Sequence, residues 1–317
     1  MNVRHAKTAL LGALAVCLLA SLFASRINGY WLNNFYDIGI GMVMAVSLNL
    51  INGYTGQFSL GHAGFMAVGA YTAAMITNQF GELNFLAANG VFALALAAGG
   101  LAAAGAGLLV GIPTLRLRGD YLAIVTLGFG EIIRVILQNM NAVGGARGLS
   151  VMHGWTNLFW TFGLAAVTVY VVASLVNSTY GRGFIAVHDD EIAAEAMGIN
   201  TTKYKVTAFV IGAFFAGIAG GLYAHSTQFL TPGGFGFMQS ITFVVMVILG
   251  GMGNTVGVIL AAILLTLLPE GLRVLAGVNH LGWIGNTRMI IYSLLLIVLM
   301  LTRPQGLFSF KKSPAPK

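Results

Sequence analysis

Charge is what this sequence has least of. Only 8% of its 317 residues are charged, nine acidic and sixteen basic, against about 25% in soluble domains. With 57% hydrophobic residues, such a chain cannot present a solvated surface, which excludes a soluble globular protein. Cysteine is almost absent too. The single Cys17 excludes an internal disulfide, and its place in an apolar run suggests no redox role. Six scattered histidines show no H-E-x-x-H or paired-ligand spacing, which argues against a metal site. There is no Walker-type phosphate loop; the GFG at 128–130 falls inside an apolar run, where glycine permits close packing. No Ser/His/Asp set is visible. An enzyme therefore has little support. No cofactor is expected on this chain; if ATP drives the protein, it is hydrolysed, with its magnesium, on another. The net charge of +7 does not point to nucleic acid. Basic residues sit at the ends of apolar runs, where cytoplasmic retention explains them.

What is there is apolar and rich in glycine. The 43 glycines suit close helix approach in lipid. The expected fold is all-α: one polytopic membrane domain over 1–317, with about 8–10 transmembrane helices. A first run at 8–24 follows Arg4 and Lys7. It is longer than the about 7–15 residues of a signal-peptide core, so a retained span is preferred to a cleaved signal. Further spans are expected at 35–51, 58–77, 85–112, 120–139, 158–176 and 206–225. The polar residues 52–57 join the second to the third.

Residues 240–268 are long for one span of about 20 residues. GGMGN at 250–254 interrupts them, and glycine weakens a helix. The segment is expected to be broken or re-entrant, with Gly250, Gly251 and Gly253 as its hinge. Residues 269–287 then face outward and 289–302 cross back. On this layout Arg4, Lys7, Arg116, Arg118, Arg182, Lys203, Lys205, Arg303, Lys311, Lys312 and Lys317 fall inside. Only Arg26, Arg147, Arg273 and Arg288 fall outside. Both termini are then cytoplasmic, and 303–317 is a short basic tail.

Three polar stretches stand out. The first, 181–207 within a loop of about 178–205, holds four of the nine acidic residues: Asp189, Asp190, Glu191 and Glu195. Its interior reads as one short helix. Asp189 or Asp190 caps its start and Gly198 its end. Ile192, Ala193 and Ala196 share one face; Glu191 and Glu195 lie four apart on another. Like charges at that spacing cost about 0.2–0.5 kcal/mol. Either a basic partner surface meets that face, or it is a solvated linker. The second stretch, 47–74, brings Asn49, Asn52, Gln57, Ser59 and His62 to membrane depth. Unpaired polar groups are costly there. They bind the ammonium and carboxylate of an amino acid in transit, or they bond backbone at a break in the helix. In the third, 117–139, Glu131 and Arg134 share a helix face. They gate or line a path, or form a structural pair near the outer end of the span.

These stretches carry a family resemblance. SLNLINGYTGQFSLGHA (47–63) resembles the N-terminal signature of LivH/LivM-type permeases, subunits of branched-chain amino-acid ABC importers. LRGDYLAIVTLGFGEIIRVILQN (117–139), HDDEIAAEAMGINTTKYKVTAF (188–209), VILGGMGN (247–254) and RPQGL (303–307) are similar to the same family. The resemblance runs from about 40 to 308. GGARG at 144–148 falls where the family often has T-G-G-x-x-G, with Val143 for the threonine.

The resemblance implies an ABC-importer permease fold in a bacterial cytoplasmic (inner) membrane. It implies a second, LivH-like permease subunit, two cytoplasmic ATPases, and a periplasmic or tethered binding protein. It makes 190–198 the ATPase-coupling helix, through Asp189, Asp190, Glu191, Ala194, Glu195 and Gly198. Cargo would move by alternating access, past Asn49, Gln57, Ser59, His62, Glu131 and Arg134 as candidate path residues. Leucine, isoleucine and valine are the default cargo; relatives carry urea, short amides or other amino acids. The competing class is a stand-alone secondary transporter or channel. It would need ionisable residues inside the membrane, and Asp37, Glu131 and Arg134 are the main ones.

Overall fold

The computed structural model describes residues 3–22, 26, 28–81, 84–114, 120–278, 293–294, 297–298, 301 and 306–307. The expected residues Arg116, Arg118, Arg288, Arg303, Lys311, Lys312 and Lys317 lie outside these, as do most of the 289–302 span and the 303–317 tail. So do the side chains of Arg4 and Lys7.

In lipid every backbone polar group must be satisfied within its own segment, and the chain answers with helices. Eleven α-helices occur among the described residues: α1 Val3–Leu22, α2 Gly29–Asn49, α3 His62–Thr77, α4 Phe85–Thr114, α5 Asp120–Asn139, α6 Leu158–Val176, α7 Gly181–Asp189, α8 Glu191–Ala196, α9 Thr201–Thr227, α10 Phe237–Gly250 and α11 Thr255–Val278. Among the described residues, seven segments are long and apolar enough to cross a membrane: Gly29–Tyr54, Phe85–Pro113, Tyr121–Asn139, Leu158–Val176, Thr201–Thr227, Pro232–Gly250 and Thr255–Arg273. The shorter α3 and the apolar run Leu10–Leu19 of α1 accompany them. The all-α polytopic architecture is as expected.

The core is a spine of α3, α4 and α9. Apolar attraction between helices is weak in lipid, so contact depends on close fit. Gly69 of α3 lies flat against Gly217 of α9, and a Cβ there would overlap the Gly217 backbone. A Cβ on Gly99 of α4 would come 2.8 Å from Gly69 O, and one on Gly220 would overlap Met66 O. The three backbones therefore meet where side chains are missing.

The helix ends sort into two poles. At one lie α7, α8, the residues after α2, and the α10–α11 turn. Gly56 packs on His188, and Tyr54 Oη bonds Thr255 Oγ1 at 2.8 Å. At the other, β1 Leu149–Ser150 pairs antiparallel with β2 Phe229–Leu230. Asn78 donates to Ser150 O at 2.8 Å and accepts from Met152 N at 3.1 Å. Trp160 Nε1 donates to Asn89 Oδ1 at 2.9 Å. The glycines of 144–148 serve this pole: Gly144, Gly145 and Gly148 all have positive φ, around two 3₁₀ turns.

Four expectations need correction. Residues 52–57 do not leave the helix at once. A π turn, Leu50–Tyr54, continues α2, because Asn52 and Thr55 bond nearby backbone rather than solvent. The third span begins at His62, not 58. The acidic loop holds two helices, not one, because Asp190 is extended (φ −158°) and splits α7 from α8. Finally, α11 does not stop before an outward segment at 269. It runs through Pro269 to Val278, since a proline removes one helix bond without forcing an end. The break at 251–254 is as expected. α10 and α11 pack against each other across it, and a Cβ on Gly250 would overlap Val258.

Candidate functional site

The acidic loop is built with care for so short a helix. Asp190 Oδ1 accepts from Ile192 N at 2.9 Å and Ala193 N at 3.1 Å, capping two free donors of α8. At the other end Gly198 has φ +83°. Ile199 N donates to Ala194 O at 3.0 Å and Gly198 N to Glu195 O at 2.9 Å. This is the Schellman closure that glycine permits. Ala194 is buried, 4% exposed, and seats the helix. Asp189 stays on the surface, beside His188 at 3.2 Å.

The two acids of that face bond within the chain, Glu191 half-buried and Glu195 exposed. Glu191 Oε1 takes a 2.5 Å ion pair from Lys205 Nζ, and Glu195 Oε1 accepts from Thr201 Oγ1 at 2.8 Å. Both acids tie α8 to the start of α9. Lys205 has only 6% of its side chain exposed. Also facing outward, beside the exposed Glu195, are apolar residues: Ile192 (66% exposed), Ala193, Ala196 and Met197 (82%). Isolated exposed apolar residues are ordinary, but a contiguous patch on a loop marks a contact surface.

The polar stretch is brought together inside the chain. Asn49, Gln57, Ser59 and His62 are all buried. Asn49 Oδ1 accepts from Gly253 N at 2.9 Å. His62 Nε2 bonds Ser47 Oγ at 2.9 Å. Asn52 Oδ1 accepts from Ser59 N at 3.2 Å. Two further side chains hold the unwound backbone: Thr126 Oγ1 accepts from Leu60 N at 3.0 Å and Ser240 Oγ from Ala63 N at 3.2 Å. Ser47, Thr126 and Ser240 carry no sequence signal for these roles. Their partners lie 15, 66 and 177 residues away. Gln57 Oε1 and Nε2, Ser59 Oγ, His62 Nδ1 and Asn49 Nδ2 are buried without a protein partner among the described residues.

Glu131 and Arg134 do form the expected pair, Nε to Oε2 at 2.6 Å, with 35% and 29% of their side chains exposed. They lie in the second half of α5, toward the end that meets the strand pole, against Gly236 at the start of α10. They do not join the buried set at 49–62. Gly250 and the left-handed Gly251 and Gly253 form the α10–α11 break. A separate apolar cavity of about 410 Å³ lies between α1, α2, α6 and α11, beside Cys17, Met42 and Tyr170. No residue singled out as a path or loop candidate lines it.

Several helices long and apolar enough to cross a bilayer, two of them interrupted by irregular backbone, with a structured loop at one pole, define a multi-pass membrane protein. The sequence comparisons place it more closely. Residues 30–300 match the family described as the branched-chain amino acid transport system / permease component, and the chain belongs to that family. Its relatives include the high-affinity branched-chain amino acid transport system permease protein LivM of Salmonella typhimurium. The two are 36% identical over 303 residues, covering 84% of this chain and 67% of the relative. The ribose import permease protein RbsC of Escherichia coli K12 is 24% identical over 303 residues, covering 90% of this chain and 89% of the relative. Among solved structures, PsaBC from Streptococcus pneumoniae in complex with Fab covers 89% of this chain and 95% of its own, at TM-score 0.44 and 13% identity.

Proposed function

We propose that this chain is one permease subunit of an ATP-driven importer of hydrophobic, branched-chain amino acids. It pairs with a second permease of the same fold and is fed by a binding protein outside the cell. Its loop docks on one of two cytoplasmic ATPases. The membrane is the bacterial inner membrane, with both chain ends cytoplasmic. The chain acts as a single membrane domain and holds no cofactor of its own. Membership of the permease family supports the class.

The observation that carries the coupling role is the outward apolar face of α8. A free helix of six residues does not hold its shape in water. This one is capped at both ends, seated by Ala194 and tied to α9 by Lys205 and Thr201. Everything about it fixes Ile192, Ala196 and Met197 in one presented surface. An ATPase groove lined with apolar side chains fits that surface. Its closure would push α8 toward the membrane and shift the permease between outward-open and inward-open forms.

Purification from the native membrane tests the assembly. Two ATPases and a second permease are expected with the chain; recovery of the chain alone would transfer support to a stand-alone transporter. Ile192→Asp with Met197→Asp should then lose the ATPases while the chain still accumulates in the membrane. Retained ATPases at normal abundance would sink the docking role. Uptake of radiolabelled leucine, isoleucine and valine, against urea and ribose, identifies the cargo.

A further inference from the structure

We infer that the π turn Leu50–Tyr54 is the relay between the loop and the α10–α11 break, with Asn49 as its positioning residue. This builds on the docking role proposed for α8, but the contacts that carry it lie within this chain.

The first contact joins loop to turn. Gly56 follows the π turn with φ +67°, and a Cβ on it would come 3.1 Å from His188 Cδ2 and 3.5 Å from His188 Cα. The last turn of α7 therefore rests directly on backbone. One residue, Asp190, separates α7 from α8 and caps α8. A displacement of α8 reaches His188 with little slack between.

The second contact joins turn to break. Asn49 Oδ1 reaches Gly253 N at 2.9 Å. It can do so because Gly53 has no side chain; a Cβ there would overlap both Asn49 Oδ1 and Gly253 N. Tyr54 Oη bonds Thr255 Oγ1, the first residue of α11, at 2.8 Å. The break itself holds Gly251 at φ +92° and Gly253 at φ +78°, which side-chain-bearing residues adopt only with strain. Leu307 N donates to Leu249 O at 2.8 Å, so the chain's return also meets this point.

The turn between the two contacts is of the kind that changes register. A π turn holds one residue more than α geometry needs and occurs chiefly at functional positions. Ile51 O closes it, accepting from Gln57 N at 3.1 Å and Thr55 Oγ1 at 2.7 Å. Asn49 Nδ2 on one side, and both atoms of the Gln57 side-chain amide on the other, are buried without protein partners among the described residues. Buried groups left unmatched call for a reason. Here a change of register has hydrogen bonds to gain as well as lose, which a bistable element requires.

Amide hydrogen exchange of the full chain in lipid nanodiscs tests this without any ATPase, so its outcome is independent of docking. Ala194→Glu unseats α8. It should speed exchange in peptides 50–57 and 249–256 by about tenfold, the scale of one lost hydrogen bond to a buried group. Peptides from 149–157 at the opposite pole should not change. Asn49→Leu should speed the same two regions, and adding Ala194→Glu should then add nothing. Asn49→Asp keeps an acceptor in either protonation state and should match the parent. If Ala194→Glu disturbs the spine, read in peptides from α4 and α9, Gly198→Ala gives the milder perturbation of the same regions. Unchanged exchange at 249–256 in whichever loop variant keeps the spine, or additive effects in the double variant, overturns the relay.

Discussion

At the scale of single residues, burial decides what each polar group does. Lys205 and Glu191 form an ion pair with 6% and 22% of their side chains exposed. Removing Lys205 takes from Glu191 a charge-assisted bond worth about 1.5–3 kcal/mol, and neutralising both partners together costs less. Lys205→Met should therefore lower the thermal midpoint in detergent, and Lys205→Met with Glu191→Gln should recover most of the loss. Gly53→Ala should break the Asn49–Gly253 bond through overlap alone and abolish transport. Measured transport at the parental rate would show that the bond is dispensable. The candidate residues Asn49, Gln57, Ser59 and His62 were visible in the sequence because polar groups at membrane depth are rare. Their orientation was not visible. Asn49 turns toward Gly253, and His62 toward Ser47; sequence spacing carries no information on contacts made across 204 residues.

At the scale of elements, the glycines divide into those that touch and those that do not. Gly69→Val should prevent recovery of a monodisperse protein, since its Cβ meets backbone rather than a movable side chain. The cost should exceed the about 1–3 kcal/mol of ordinary overpacking. Gly128→Ala has open space around it. It should be neutral or stabilising by about 0.5–1 kcal/mol, through helix propensity. Size-exclusion profiles of the two variants check the contrast. Gly198→Ala meets no neighbour, but its φ of +83° costs about 1–2 kcal/mol in a residue with a side chain. Helix positions were legible because apolar runs and glycine breaks mark them. The π turn was not, because its hydrogen-bonding groups look like those of any loop. Nor was the split at Asp190. Two acidic residues in a row could each cap a helix, and only the extended backbone of the second decides.

At the scale of the molecule, the two poles differ in how they are held. The pole with β1 and β2 is fastened by a strand pair and by Asn78. The loop pole meets the α10–α11 break through glycine backbone and single side-chain bonds. Motion should concentrate at the loop pole. The α5 face is the other global feature. Glu131 and Arg134 sit in the second half of α5 with about a third of each side chain exposed, and a charge pair does not face hydrocarbon. In a Cys17→Ser background, Val135→Cys, four residues from Glu131 on the same exposed side of α5, should react with a water-soluble maleimide in the assembled transporter. Leu101→Cys, on the exposed side of α4, should not. Equal protection of both would place α5 against lipid or sealed protein.

The glycine spine also constrains how the chain is made. α3 and α4 leave the ribosome early, yet the surface they are shaped for belongs to α9, which begins about 100 residues after α4. Until then Gly69 faces a groove with nothing in it, and α3, at 16 residues, falls short of the about 20 that hold a helix securely across the bilayer. Membrane insertion of this protein therefore cannot be completed span by span. A nascent chain arrested before Thr201 should remain susceptible to quality-control proteolysis however well its first helices have inserted, and release from that surveillance should come abruptly once α9 arrives.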